Sequence, residues 1–179
     1  QLDRRSSAFD GFDARHDAVW MAEAAAEAGY VPSHKARIVL FLSAMRHFRA
    51  ALETEGVVVY YRSLEDPENL GTLALELEAA ARRLAPRGLV IVEPGEWRVR
   101  EDLKAAAQEA AVDLEIREDR HFLASHDDFD RFARDKKQLR MEFFYREMRR
   151  KHRVLMDGDE PAGGAWNFDT ENRESFGKA

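Results

Sequence analysis

The chain has 179 residues, 45% of them hydrophobic and 35% charged, with no cysteine and a net charge of −6. That length suits one α/β domain with a real core, and no run approaches the roughly 20 apolar residues of a membrane span. Lack of cysteine excludes disulfides, thiolate zinc sites and iron–sulfur ligation by this stretch, and it fits a reducing compartment. The start, Gln1-Leu2-Asp3-Arg4-Arg5, is polar and carries no signal-peptide pattern. Charge is uneven. Arg131 to Arg153 holds ten Lys/Arg against three acids, so this segment is +7 and the remainder −13. The whole domain is not built as a phosphate binder, which needs a local excess of cations, but one helical stretch suits an acidic partner.

In chain order, Val19-Trp20-Met21 reads as a strand, followed by a loop rich in Ala and Glu. Phe41, Met45, Phe48 and Leu52 recur at helical spacing and predict a helix over about 36–55, closed by Gly56. Val57 to Tyr61 is a β-branched and aromatic run, hence a strand. After Asp66-Pro67, the residues Leu70, Leu73, Leu77, Ala80 and Leu84 predict a helix over about 69–85, stopped by Pro86. Gly88 to Glu93 is the next strand. Pro94-Gly95 ends it, and Glu96 to Arg100 reads as a loop. An Ala-rich helix over 101–111 and a strand over Val112 to Arg117 follow. Ser125 has the character of an N-cap, with Asp127 and Asp128 in the first turn, and Phe129, Phe132 and Ala133 are expected to face inward. A last helix covers about 139–153, before an irregular tail with Asp157-Gly158-Asp159, Pro161 and Gly163-Gly164. Strand–helix alternation argues for a parallel sheet covered on both faces. Two things look incomplete: the first strand comes late, as if one before it were missing, and the tail aromatics have no element to pack them.

No dinucleotide glycine fingerprint, P-loop or nucleophile elbow is present. The loop after strand Gly88–Glu93 lies where ligands sit in open α/β sheets. Its acids Glu93 and Glu96 suit acid–base work in principle, yet no His or nucleophile lies nearby in sequence, and Glu96 is expected to pair with Arg98 or Arg100. His121, His126, Asp127 and Asp128 have acceptable metal-ligand types, but their spacing is no recognised signature, so an N-cap with solvated acids is expected. Glu23 and Glu27 lie in Ala22-Glu23-Ala24-Ala25-Ala26-Glu27-Ala28-Gly29-Tyr30. If helical, the two acids share a face. Either this is an exposed turn, or it sets a carboxylate beside a small-walled pocket for a flat ligand. Met141, Phe144, Tyr145 and Met148 share one face of the last helix and are expected in a core or a domain interface.

Four stretches together resemble a known family. They are Ser43-Ala44-Met45-Arg46-His47-Phe48, Glu93-Pro94-Gly95-Glu96-Trp97-Arg98, Met141-Glu142-Phe143-Phe144-Tyr145-Arg146-Glu147-Met148-Arg149-Arg150, and Trp166-Asn167-Phe168-Asp169-Thr170-Glu171-Asn172-Arg173. In this order they are similar to the N-terminal part of the deoxyribodipyrimidine photolyase-related proteins, the iron–sulfur bacterial cryptochromes and (6-4) photolyases. The resemblance runs over essentially the whole chain.

What the resemblance implies is specific. The fold would be a Rossmann-like, doubly wound parallel sheet flanked by helices, with its first strand missing, because the family's opening strand ends in Gly-Asp-Gln-Leu and this chain starts at Gln1-Leu2. Residues 1–153 would form an antenna domain and 154–179 a linker toward a helical domain with FAD and a [4Fe-4S] cluster. The antenna domain would bind 6,7-dimethyl-8-ribityllumazine. Glu27 matches the family's lumazine-binding glutamate, and Gln1, Ala22 and Tyr30 match neighbouring pocket positions. No catalytic or metal-binding residue is expected on this stretch. The intact protein is expected in the cytoplasm as a DNA photolyase or a cryptochrome photoreceptor, with its C-terminal catalytic domain and DNA as partners and no membrane. The alternative is a chromophore-free α/β packing module. Trp97, Arg98 and Arg100 are read as bracing such a domain against its catalytic neighbour.

Overall fold

The computed structural model describes residues 2–169. The chain divides into two compact units, one up to Arg120 and one from His121 onward.

The first unit mixes helices with short parallel strands. A single 3-10 turn at Ser7–Phe9 precedes β1 (Val19–Ala22), α1 (Ala25–Gly29), α2 (Lys35–Thr54), β2 (Val59–Arg62), α3 (Leu73–Leu84), β3 (Leu89–Val92), α4 (Trp97–Glu109) and β4 (Leu114–Arg117). β1 and β2 pair in parallel, Val19 opposite Val59 and Ala22 opposite Arg62. β3 and β4 do the same, Leu89 opposite Leu114 and Val92 opposite Arg117. Because strand side chains alternate, Trp20 of β1 and Leu89 and Ile91 of β3 point to one side. There they pack on Leu77 of α3 and on Val99, Leu103 and Ala106 of α4. On β2, Tyr61, which pairs in register with Met21, meets α2 instead: the Arg49 guanidinium lies 4.9 Å from its ring centroid. Helices thus reach the strands from both faces, and the expected α/β character holds.

Element limits follow local chemistry. α2 runs close to its predicted span, and Gly56 beyond it adopts φ +81, a region open to glycine. α3 starts at Leu73, later than its apolar spacing predicts. Gly71 sits at φ +81 and Thr72 caps the helix by accepting the Leu75 amide at 3.2 Å. α4 departs most. Trp97 to Arg100, read as loop, are its first turn, with Glu96 as the extended N-cap residue. Val99 is four residues before Leu103 and shares its core face, so the apolar period begins earlier than the alanine run suggested. The stretch after β1, read as loop, contains the short helix α1.

The second unit holds α5 (His126–Ala133), α6 (Met141–His152) and a two-residue hairpin, β5 (Met156–Asp157) with β6 (Glu160–Pro161). Ser125 and Asp128 form a reciprocal capping box at α5, as the N-cap reading expected. Phe129, Phe132 and Phe144 pack mutually, with centroids 5.0 to 6.4 Å apart. Of the predicted apolar face of α6, Phe144 is buried, whereas Met141 and Tyr145 are exposed. Two aromatic residues of α5 pack on Phe144, and Met148 is half-buried. The tail is not without a partner. Trp166 lies among the guanidiniums of Arg146, Arg149 and Arg150, at 5.5, 5.1 and 4.6 Å, a cation–π arrangement that apolar periodicity does not register.

Candidate functional site

Two acids at the C-terminal end of β1 part company. Glu23 is the residue after the strand, its amide held by the Arg62 carbonyl at 2.9 Å. It is 1% exposed. Arg46 of α2 grips it with Nε at 2.7 Å and Nη2 at 2.9 Å, while the Tyr61 hydroxyl and the Leu64 amide donate at 2.5 and 2.8 Å. Hydrogen bonding from Arg46 is the main cause of a carboxyl pKa lowered to about 2. A buried acid so fully served is a structural brace. It is not on one helical face with Glu27, because the helix begins only after Ala24, which is extended.

Glu27 lies in the first turn of α1. Its partner comes from far along the chain. Arg98, in the first turn of α4, donates from Nη1 to Oε1 at 3.2 Å and from Nη2 to Oε2 at 2.8 Å. The same guanidinium sits 4.3 Å from the centroid of Tyr30 and is flanked by Glu96 at 3.3 Å and Asp102 at 3.5 Å. Glu27 first among these raises the Arg98 pKa, keeping the cation charged. The pair borders a cavity of about 140 Å³. Ala26 and Ala74 supply small walls, Val99 and Leu103 an apolar side, and Glu27, Arg98 and Asp102 a polar one. A carboxylate, a guanidinium and alanine walls are groups that suit a flat polar ring; nothing in the arrangement is a nucleophile with its base.

The sequence-predicted residues are not all brought together. Glu27 borders the cavity, and Tyr30 backs Arg98 while 63% exposed. Ala22 is buried at the end of β1 and is not among the cavity's lining residues. Gln1 lies outside the described residues. Arg98, read as an interdomain brace, pairs with Glu27 inside its own unit. Sequence offered no signal for this, since the partners are 71 positions apart. Glu96 pairs with Arg98 at 3.3 Å, as expected, and Glu93 pairs with Arg100 at 2.9 Å. Asp128 serves the capping box and Lys151. A larger cavity of about 380 Å³ runs along β2 beside Trp20, Tyr60 and Arg83, but its Arg62 is committed to Asp66 at 2.6 Å and Glu76 at 3.5 Å.

Among the described residues, no helix is long and apolar enough to cross a membrane. Comparison with known proteins identifies relatives. The family model for deoxyribodipyrimidine photo-lyase-related protein matches residues 1–179. The chain is 45% identical over 174 residues to a (6-4) photolyase of Agrobacterium fabrum, covering 97% of this chain and 34% of that protein. It is 22% identical over 144 residues to an uncharacterized protein of Acanthamoeba polyphaga mimivirus, covering 78% of this chain and 71% of the viral protein. The chain therefore spans about a third of the length of the photolyase it matches. With a family match over its full length, and with the four motifs in order, this chain belongs to the deoxyribodipyrimidine photo-lyase-related protein family.

Proposed function

We propose that this chain is the chromophore-binding antenna part of a photolyase- or cryptochrome-like protein, with 6,7-dimethyl-8-ribityllumazine held at the Glu27–Arg98 cavity. The observation that carries the reading is the Glu27–Arg98 pair beside alanine walls. Its support from outside is the likeness to a (6-4) photolyase. When bound, such a chromophore absorbs light and passes the excitation on; this chain's own task is to bind and orient it. Glu27 would accept from a ring or ribityl donor, Ala26 and Ala74 leave room for the ring plane, and Arg98 fixes the carboxylate. A cavity of about 140 Å³ is of the size that encloses a single ring, so the rest of the chromophore and its ribityl chain would lie outside it. FAD, the [4Fe-4S] cluster and light-driven repair of DNA lesions would belong to a C-terminal domain of the same, cytoplasmic protein, and DNA would be met by the intact protein.

The finer fold belongs to the same proposal. Parallel pairs are normally inner parts of larger sheets covered on both faces, and an isolated two-stranded sheet is marginal. β1 and β3 each have one ladder partner, yet share one core under α3 and α4. One further parallel strand between them would give a Rossmann-like, doubly wound sheet in the order β2, β1, added strand, β3, β4.

A second reading, a chromophore-free packing module, draws on the cavity's size, which is below the roughly 300–1,000 Å³ usual for ligand pockets. Equilibrium titration of the intact protein, stripped of bound small molecules, with 6,7-dimethyl-8-ribityllumazine separates the two. Saturable binding with a shifted absorbance band supports the antenna; no binding supports the packing module.

A further inference from the structure

The two ends of α2 are built differently. Ile38, Leu42, Met45 and Leu52 follow helical spacing and are buried or half-buried, so they set its inward face. In the later turns the outward side is His47, Ala50 and Glu53, all exposed. In the first turns, Ile38-Val39-Leu40-Phe41-Leu42 is an unbroken apolar run. At about 100° per residue such a run turns through a full circle. Val39, Leu40 and Phe41 therefore point away from the inward face, and each is more than half exposed. Val31, in the link that enters the helix, is exposed as well. Scattered apolar residues on a surface mean little, whereas a contiguous exposed patch marks an interaction surface. Two cations frame this one. Arg37 lies 5.4 Å from the Phe41 ring centroid, and among the described residues neither Lys35 nor Arg37 has a carboxylate partner.

We propose that Val39, Leu40 and Phe41 are the seat of an apolar, acid-bearing segment from the rest of the intact polypeptide. Two observations choose that occupant. This chain covers 34% of the photolyase it matches, so a protein of that length has roughly twice as much polypeptide again to place against it. The uncompensated cations at the rim call for acids opposite them, since interfaces match charge across the contact. The inference rests on the reading of this chain as part of a longer photolyase-like protein and needs no chromophore; lumazine titration decides the antenna role separately.

The test is thiol labelling of the intact protein with N-ethylmaleimide, read peptide by peptide by mass spectrometry so that other cysteines are counted apart. The variants are Leu40→Cys, Val39→Cys and, as reference, Ala50→Cys, which is exposed on the same side of α2 as Val39. The expected result is labelling of Leu40→Cys and Val39→Cys roughly tenfold slower than of Ala50→Cys, unchanged on dilution of the protein. Adding Lys35→Glu and Arg37→Glu to Leu40→Cys should speed its labelling, because like charges then face each other. Labelling of Leu40→Cys and Val39→Cys within about twofold of the reference shows an open face and overturns the proposal. Slow labelling that is lost on dilution assigns the face to a second copy and overturns it too. A rate that the two charge reversals leave unchanged overturns the acid-bearing occupant. Should Leu40→Cys fail to fold, by circular dichroism, Val39→Cys decides in its place.

Discussion

Glu23 and Glu27 are four positions apart and serve different ends, a difference set by what reaches each of them. Around Glu23, one guanidinium, one hydroxyl and one amide converge on a carboxylate with no solvent exposure of its side chain. Because these donors hold its pKa near 2 against an ordinary value of 4.5, their contribution is complete above about pH 4.5. It is lost as pH falls toward 2, where the folded state must take up the proton. Glu23 is buried but its partner Arg46 is 44% exposed, so solvent screening brings the cost of removing the charge below that of a fully buried pair, to about 2 kcal/mol. Glu23→Gln should therefore lower stability in urea unfolding at pH 7 by about that amount, and the gap to wild type should narrow by pH 3. A gap unchanged between those pH values would show that the charge on Glu23 is not what holds this corner. Little of this was legible in sequence: Ala22 to Tyr30 shows the acids and the small residues, but Arg46 and Arg98 arrive from other elements, and pairing across that separation leaves no local pattern.

At the scale of elements, the packing of α3 and α4 on the strands carries the first unit. Leu77 is 3% exposed at the centre of that cluster. Leu77→Ala should cost about 3 kcal/mol in chemical denaturation, the sum of lost transfer energy and a residual cavity. A loss below about 1 kcal/mol would mean that the cluster is not a shared core. In the second unit the capping box at α5 predicts a smaller effect. Ser125→Ala should destabilise by about 1 kcal/mol, and Ser125→Thr should retain most of the stability in the same thermal melts. An equal loss for both would place the effect elsewhere than in the cap. Strongly periodic helices were readable, as α2 shows. The start of α4 was not, because Trp97-Arg98-Val99-Arg100 offers one core residue among three large polar or amphipathic ones. There a Pro-Gly turn and mixed charges hide a helix that only Val99 and Leu103 together reveal. Trp166 was missed for a related reason. Three arginines hold it, and a hydrophobic pattern does not report a cationic seat.

For the whole molecule, family membership and mixed α/β architecture stand on a match over residues 1–179 and on two parallel strand pairs sharing a core. The antenna role goes one step further and rests on Glu27. The most direct measurement is the absorbance spectrum of the intact protein purified from its own host, wild type beside Glu27→Ala. The account predicts a lumazine band beyond the flavin spectrum in wild type and its loss, or at least a tenfold fall in occupancy, in the variant. A lumazine band of undiminished strength in Glu27→Ala, with the variant folded, would contradict it.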